Sequence, residues 1–315
     1  MKTNAADVNF KKINLSRVIP FAGLILVTIF FTLVSHGNLL SIQNVKLLIN
    51  QMFTLCVGAI GCAFVVAQGN LDFSVGGILG VSATFAAYAS QKSIGAMVIT
   101  ALGVSLAIGL INGFIHAKLK VESFVLTLAM QFVLQGVIVI ATKSGTVPIP
   151  FSMYSLDNLT LKIITVIVVG IIGYIVFEYS AVGKYSKAIG SGIEATRQSG
   201  ISVNKYKIVA FMISAFTAGI CSIFVLVRTG AASTATGKFF ETDVLTALVL
   251  GGISLEGGSS SKISSAIIGS LTLAILSNGM VLWGINEHYQ QLAKGLIFIV
   301  AVWLAAGNSR KKRKG

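Results

Sequence analysis

The sequence predicts an all-α polytopic membrane protein, and two features of its composition carry that prediction. Hydrophobic residues make up 55% of the 315 positions and charged residues only 11%, whereas a soluble domain has about 25% charged residues. The hydrophobic residues are gathered into runs close to the roughly 20 residues that cross a bilayer as a helix, without the period-two alternation of a transmembrane β-barrel. The 24 lysines and arginines cluster at the ends of these runs, which is typical of membrane loops and argues against a nucleic-acid surface.

Ten apolar runs follow one another along the chain and predict about ten membrane segments. They cover residues 18–34, 45–68, 76–90, 96–117, 123–142, 161–179, 208–228, 242–253, 263–284 and 291–306. The runs 76–90 and 242–253 are too short to span alone, and each lies beside a glycine-rich break. The first run is longer than the core of a signal peptide, and residues 35–37 form a poor cleavage site, so we expect a retained first helix.

Basic residues are concentrated in four segments, namely residues 1–17, 117–122, 180–207 and 308–315. Ten crossings place all four on the same side of the membrane, and the positive-inside rule identifies that side as the cytoplasm. Both termini are therefore predicted to be cytoplasmic. The predicted domains are a basic N-terminus at 1–17, one transmembrane domain at 18–307 that contains the cytoplasmic loop 180–207, and a basic tail at 308–315.

The segment 143–160 is expected on the outer face of the membrane. It contains Pro148 and Pro150 and few charges, and its aromatic residues Phe151 and Tyr154 suit the membrane interface. Two interpretations stay open here, a simple connector and a short helix lying on the outer face.

Two acidic residues lie in glycine-rich breaks between apolar runs, in opposite halves of the chain. Asp72 belongs to the segment 68–77 and Glu256 to the segment 251–258, and both segments combine glycines, one acid and a serine. A matched pair of glycine-interrupted segments indicates a transporter built from an inverted internal repeat, with its path at the repeat interface. Two compatible interpretations stay open: the acid caps the helix that follows, or it contributes to the solute path.

Polar side chains within or beside the apolar runs are the candidates for that path. Gln131 and Gln135 are four residues apart and share one face of a helix, from which they could bind a hydroxylated solute or bridge two helices. The candidate path residues are Gln68, Asn70, Asp72, Phe73, Ser74, Gln131, Gln135, Ser254, Glu256 and Asn278. The three cysteines lie in apolar runs without metal-ligand spacing, so no metal or other cofactor is expected to bind this chain.

The basic segment 180–207 predicts a short helix at residues 193–198, which lies between glycines and is ended by Gly200. Residues 188–201 read AIGSGIEATRQSGI, and this pattern, followed by a basic entry into the membrane, resembles the coupling-helix signature of permease subunits of ABC sugar importers. The resemblance is to the branch that serves ribose, xylose, galactosides and autoinducer-2. Two further motifs of that family are similar to residues 71–76, LDFSVG, and to residues 249–258, VLGGISLEGG. The chain departs from the family pattern at Phe73, Gly192 and Glu194.

The resemblance covers residues 44 to 303 and implies an assembly in a bacterial inner membrane. Its partners would be two cytoplasmic ATP-binding subunits, an extracytoplasmic solute-binding protein and a second permease copy or paralogue. The residues implied to contact the ATP-binding subunit are Gly190, Gly192, Glu194, Ala195, Arg197, Ser199 and Gly200. The chain has no phosphate-binding loop of the G-x-x-x-x-G-K-[S/T] type, so ATP hydrolysis would take place in a separate subunit. The implied function is import of a sugar or related polar solute.

Two other classes of function remain as alternatives. An ion-coupled secondary transporter would use Asp72 and Glu256, and the coupling signature and the absence of further acids inside the membrane argue against it. A membrane enzyme would need a catalytic constellation, which the scattered histidines and cysteines do not form.

Overall fold

The computed structural model describes the backbone of residues 15–314 and the side chains of residues 20–303. Within this range the chain forms twelve α-helices and two short strands. The helices are α1 (Leu15–Val34), α2 (Ile42–Ala67), α3 (Val75–Ser90), α4 (Ile94–Lys118), α5 (Ser123–Thr142), α6 (Leu159–Glu178), α7 (Ala181–Ser191), α8 (Ile193–Gln198), α9 (Val203–Thr229), α10 (Phe240–Leu250), α11 (Ile263–Leu282) and α12 (Glu287–Lys314). The strands are β1 (Thr146–Pro148) and β2 (Ala231–Ser233), and two 3₁₀ turns cover Asn38–Leu40 and Phe151–Leu156.

A helix covers most of each of the ten predicted apolar runs. Six helices, α2, α4, α5, α6, α9 and α11, are long and apolar enough to cross a membrane. The chain is therefore an α-helical, polytopic membrane protein. The short runs become α3, with 16 residues, and α10, with 11 residues. Of the predicted N-terminal domain, residues 1–14 lie outside the described part of the chain, as do the side chains of the predicted tail 308–315.

Hydroxyl and amide side chains cap several of the helices at their first turn. Ser41 Oγ accepts a hydrogen bond from the Asn44 amide at the start of α2, and Ser93 Oγ accepts one from the Ala96 amide at the start of α4. Asn158 has the same role at the start of α6. Capping matters most in a membrane protein, because lipid offers no partner for the free amide groups of a helix end.

The centre of the bundle is formed by α2 and α9. Helix α9 packs against α4, α2 and α3, while α11 packs against α2, α10 and α1. Most of the second half of α2 is buried, whereas α6 exposes most of its apolar side chains, as a surface facing lipid would. Helix α1 is part of the fold, since Phe31 is buried against α11 beside Gly279.

The segment 143–160 is not a simple connector, because it contains a short strand and a 3₁₀ helix. Its residues 146–148 pair as an antiparallel ribbon with residues 231–233, which follow α9, and a 3₁₀ turn comes next. Val147 and Ala232 face each other in the register and both are buried. The fold is thus all-α apart from this one small ribbon among the described residues.

Close contact between α10 and α11 depends on Gly269. A Cβ atom at this position would lie 1.7 Å from the carbonyl oxygen of Ala247. Small residues are common at such contacts, because membrane helices associate through close backbone packing.

We predict that Gly269→Ala destabilises the protein by about 1–3 kcal/mol, the usual cost of overpacking. Gly103→Ala in α4 is the matched control, because nothing lies within 4 Å of its added Cβ and alanine favours a helix. The melting temperature of the detergent-purified chain, followed by size-exclusion chromatography after heating, compares the two. Equal melting temperatures would contradict the close contact.

Candidate functional site

Three segments that the sequence singles out meet at the C-terminal end of α2. The Gly258 amide donates to the carbonyl oxygen of Ala67 at 2.9 Å. The end of α7 packs against both of these groups. A Cβ atom on Gly190 would be 2.1 Å from the Ala67 oxygen and 2.5 Å from the Gly258 nitrogen, so only glycine fits there. We call Ala67, Gly190 and Gly258 the glycine junction. It joins both glycine-rich breaks to the basic segment 180–207.

Further hydrogen bonds surround the glycine junction. The Ser259 amide donates to Ser191 Oγ at 3.2 Å. Gln68 Nε2 donates to Ser186 Oγ of α7 at 3.1 Å and to the carbonyl oxygen of Tyr206 of α9 at 2.8 Å. The side chain of Gln68 therefore bridges three helices. Asn70 is half-buried beside it, and its Nδ2 is buried with no hydrogen-bond partner among the described residues.

Asp72 is held in a buried polar network. Its Oδ1 accepts hydrogen bonds from the Ser74 amide at 3.0 Å and from Ser74 Oγ at 2.5 Å, while its Oδ2 accepts one from Ser214 Oγ of α9 at 2.9 Å. Asn112 Nδ2 of α4 in turn donates to Ser74 Oγ at 2.8 Å. A buried carboxylate that accepts three hydrogen bonds needs no further partner. This carboxylate lies in the turn just before α3. The network fixes the turn that leads into α3, although the Asp72 carboxylate accepts no hydrogen bond from an amide inside that helix.

Phe73 and Gln135 also connect α5 to the loops that precede α3 and α10. The Phe73 amide donates to Thr127 Oγ1 of α5 at 3.0 Å, and its ring packs edge-on against Phe124 with ring centroids 5.3 Å apart. Gln135 Nε2 of α5 donates to the carbonyl oxygen of Thr234 at 2.8 Å.

Glu256 does not form the expected match to Asp72. Its side chain is exposed, and its amide donates to Ser254 Oγ at 3.3 Å within a tight turn. Asn278 lies apart from the other candidates as well, because its Oδ1 accepts a hydrogen bond from Asn44 Nδ2 near the start of α2, the end opposite the glycine junction. The structure therefore does not bring all ten candidate path residues together.

The sequence prediction missed two acids at the start of α10. Glu241 is 9% exposed, and its Oε2 accepts a hydrogen bond from Gln131 Nε2 at 3.4 Å. Gln131 Oε1 accepts one from the Gly77 amide at 2.6 Å. Asp243 Oδ2 pairs with Lys294 Nζ of α12 at 2.9 Å. The expectation that no further acids lie in the apolar segments is therefore wrong.

The first turns of α3 and α10 face each other around Glu241. A Cβ on Gly76 would lie 2.0 Å from Glu241 Oε2, so the carboxylate sits directly against the start of α3. Two helix N-termini favour a negative charge at this place. An acid in the first turn of a half-length helix after a glycine is the sequence signal that would have found it.

The predicted helix at 193–198 is present as α8, and it is exposed. Of its residues only Thr196 is buried. Glu194 and Arg197 pair with each other at 2.7 Å and 3.0 Å on its surface, and Gly200 has the positive φ of 79° typical of a helix end. Ala195 and Ser199 are exposed beside them, so α8 presents a free face to solvent.

No group of three or more histidines, cysteines or acids among the described residues is placed to hold a metal ion. The site is thus a set of helix contacts within the membrane domain, joined to an exposed helix outside it.

Comparison with known proteins identifies the class. The chain belongs to the family described as branched-chain amino acid transport system / permease component, whose model matches residues 44–302. It is a membrane-integral permease of a transport system.

Relatives within this class include the ribose import permease protein of Escherichia coli strain K12, which is 31% identical over 291 residues, covering 89% of this chain and 90% of the relative. The ribose import permease protein of Haemophilus influenzae is 31% identical over 285 residues, or 85% of this chain and 86% of the relative. The xylose transport system permease protein of Escherichia coli strain K12 is 26% identical over 379 residues, or 98% of this chain and 96% of the relative. No solved structure gives a significant match.

We predict different effects on stability for the two acids that look alike in sequence. Asp72→Ala leaves buried donors without an acceptor and should lower the free energy of unfolding by about 2 kcal/mol. Glu256→Ala removes an exposed side chain and should change it by less than about 0.5 kcal/mol. Thermal unfolding of the purified variants measures both. An Asp72→Ala protein that is as stable as wild type but inactive in transport would contradict the structural role of this hydrogen-bond network.

Proposed function

We propose that the chain is the membrane-spanning subunit of an ATP-driven, binding-protein-dependent importer that moves a sugar or related polar solute into the cytoplasm. The observation that carries the proposal is the exposed helix α8, which is linked through the glycine junction to both broken segments of the bundle. The relatives named for ribose and xylose support a sugar as the solute.

In this proposal the chain crosses a bacterial inner membrane with ten segments, of which α3 and α10 are half-length. Both termini and the segment 180–207 face the cytoplasm, as the positive-inside rule requires for the basic segments. The transmembrane domain is 18–307, flanked by the basic N-terminus 1–17 and the basic tail 308–315. The facing first turns of α3 and α10 support an inverted internal repeat with these two helices as equivalents.

The proposed coupling runs from α8 to the bundle. The residues that would contact an ATP-binding subunit are Gly190, Gly192, Glu194, Ala195, Arg197, Ser199 and Gly200. When the ATP-binding subunits close, α8 and α7 would be displaced together, and Gly190 would press on the ends of α2 and of the turn 251–258. The free energy would come from the different contacts that the nucleotide-bound subunits make with the two states of the permease.

Transport systems of this class need ATP-hydrolysing and solute-binding partners in general. We propose two cytoplasmic ATP-binding subunits, one extracytoplasmic solute-binding protein, and a second permease copy or paralogue beside this chain. This chain itself would bind no cofactor.

The polar groups where α3 and α10 meet favour a hydroxylated solute. Glu241 offers carboxylate oxygens, and Gln131 and Gln135 lie half-buried on the adjoining face of α5. Carboxylates make the strongest hydrogen bonds to hydroxyl donors. Asp72 and Ser74, by contrast, would act on the path by holding the start of α3 in place.

Glu241 and Asp243 also favour a second candidate, an ion-coupled transporter, because acids inside a membrane domain often mark ion pathways. The two candidates differ in the source of energy. ATP hydrolysis drives the first and an ion gradient drives the second.

We predict that exchanging the two charges on α8, in a Glu194→Lys, Arg197→Glu double variant, uncouples the permease. The exchanged side chains still pair with each other, so folding should be unaffected, but the charges offered to the ATP-binding subunit are reversed. Co-purification with that subunit, and ATP-dependent uptake of ribose and xylose into proteoliposomes containing the binding protein, should both fall at least tenfold, a loss of about 1.4 kcal/mol or more.

The control exchanges two exposed charges at the opposite end of the bundle, Lys92→Glu with Glu287→Lys, and should behave as wild type. If no ATP-binding subunit co-purifies with the wild-type chain and uptake follows a proton or sodium gradient, the importer proposal fails and the ion-coupled candidate replaces it.

A further inference from the structure

A cavity of about 760 Å³ opens between the end of α4, helix α8 and the start of α9. Four basic side chains line it, and they come from three helices and one loop. Lys118 ends α4, Lys120 lies in the following loop, Arg197 belongs to α8, and Lys205 lies in the first turn of α9. Residues as far apart in sequence as Lys118 and Lys205 are thus brought to one concave surface.

The cavity has an excess of positive charge. None of its lining residues is acidic, and of its four cations only Arg197 has an ion-pair partner among the described residues, Glu194. Glu122 follows Lys120 closely in the sequence but does not line the cavity. The N-terminus of α9 adds the partial positive charge of a helix dipole. The chemistry of the cavity therefore fits an anion, and a phosphate group in particular.

One wall of the same cavity is apolar. Ile208 and Val209 line it, and both belong to α9, a helix long and apolar enough to cross the membrane. Lys118 and Lys205 lie at the ends of such helices, where lipid headgroups are found. A soluble anion would gain nothing from contact with apolar side chains. A phospholipid, in contrast, carries a phosphate group for the basic side chains and an acyl chain for the apolar wall.

We propose that this cavity binds the headgroup of an anionic phospholipid. The phosphodiester lies among Lys118, Lys120 and Lys205, and the first carbons of an acyl chain lie on Ile208 and Val209. Basic pockets between membrane helices on the cytoplasmic side are suited to such headgroups. Because Arg197 lines the cavity and also belongs to α8, the bound lipid sets the position of α8 relative to α4 and α9. The membrane's anionic lipid content thereby influences the helix that we assign to energy coupling.

Lipid binding does not depend on transport, so it is tested on the full-length chain in detergent. Native mass spectrometry measures the apparent affinity for phosphatidylglycerol and for phosphatidylcholine. We expect wild type to prefer phosphatidylglycerol, and the Lys118→Gln, Lys120→Gln variant to lose that preference, with about a fivefold drop in affinity for each lysine removed. Both lysines are exposed, so the variant should fold as wild type does.

The control variant is Lys184→Gln, Lys262→Gln. It removes the same charge from two exposed lysines outside the cavity, in elements that lie on the same predicted side of the membrane. It should bind phosphatidylglycerol as wild type does. A loss of the same size in both double variants would show general charge attraction and overturn the site.

Two further outcomes would also overturn the lipid assignment. If inorganic phosphate displaces phosphatidylglycerol at equal concentration, the cavity takes a soluble anion. If both lipids bind equally while the Lys118→Gln, Lys120→Gln variant loses a co-purified ATP-binding subunit, the cavity docks a protein.

Discussion

The packing of α7 against both glycine-rich breaks depends on one close backbone contact, the glycine junction. Gly190 fits between the carbonyl oxygen of Ala67 and the amide of Gly258, a space that no side chain can enter. Those two groups are themselves hydrogen-bonded. Because packed interfaces resist gradual deformation, a displacement of α7 is passed on to both partners rather than absorbed. The exposed helix α8 is only one residue beyond α7, so in the proposed coupling a force applied to α8 would reach the ends of α2 and of the turn before α11.

The polar groups inside the bundle follow the rule that buried charge must be paired. Lys162, at 4% exposed, bonds to Asp157 and to Asn50 Oδ1, and Asp243 bonds to Lys294. Asp72 has hydroxyl and amide donors in place of a counter-ion. Glu241 differs from these, since its one side-chain partner among the described residues is Gln131, at the long distance of 3.4 Å. A buried carboxylate held so loosely has bonding capacity left for a solute or an ion.

Much of this architecture could be predicted from the sequence, because it is local. The apolar runs follow from composition, and the helix at 193–198 follows from its flanking glycines. The ribbon between residues 146–148 and 231–233 could not be predicted, because it pairs segments on either side of four intervening helices. The same is true of the bond from Ser214 to Asp72, which joins residues 142 positions apart. The similar sequences of the two glycine-rich breaks suggested that Asp72 and Glu256 are equivalent. Tertiary packing, however, buries Asp72 and leaves Glu256 exposed.

The most direct test of the coupling account is a cross-link across the junction. Ser191 and Ser259 are in hydrogen-bond contact, so cysteines at these two positions could form a disulfide. The three native cysteines are buried, so oxidation would act on the Ser191→Cys, Ser259→Cys pair. ATP-driven uptake would be measured before and after oxidation in the reconstituted assembly. If α7 and the turn 251–258 move as one body, the oxidised protein transports at the rate of the reduced one. If oxidation stops uptake and reduction restores it, the two segments must separate during transport, and the junction does not transmit the motion.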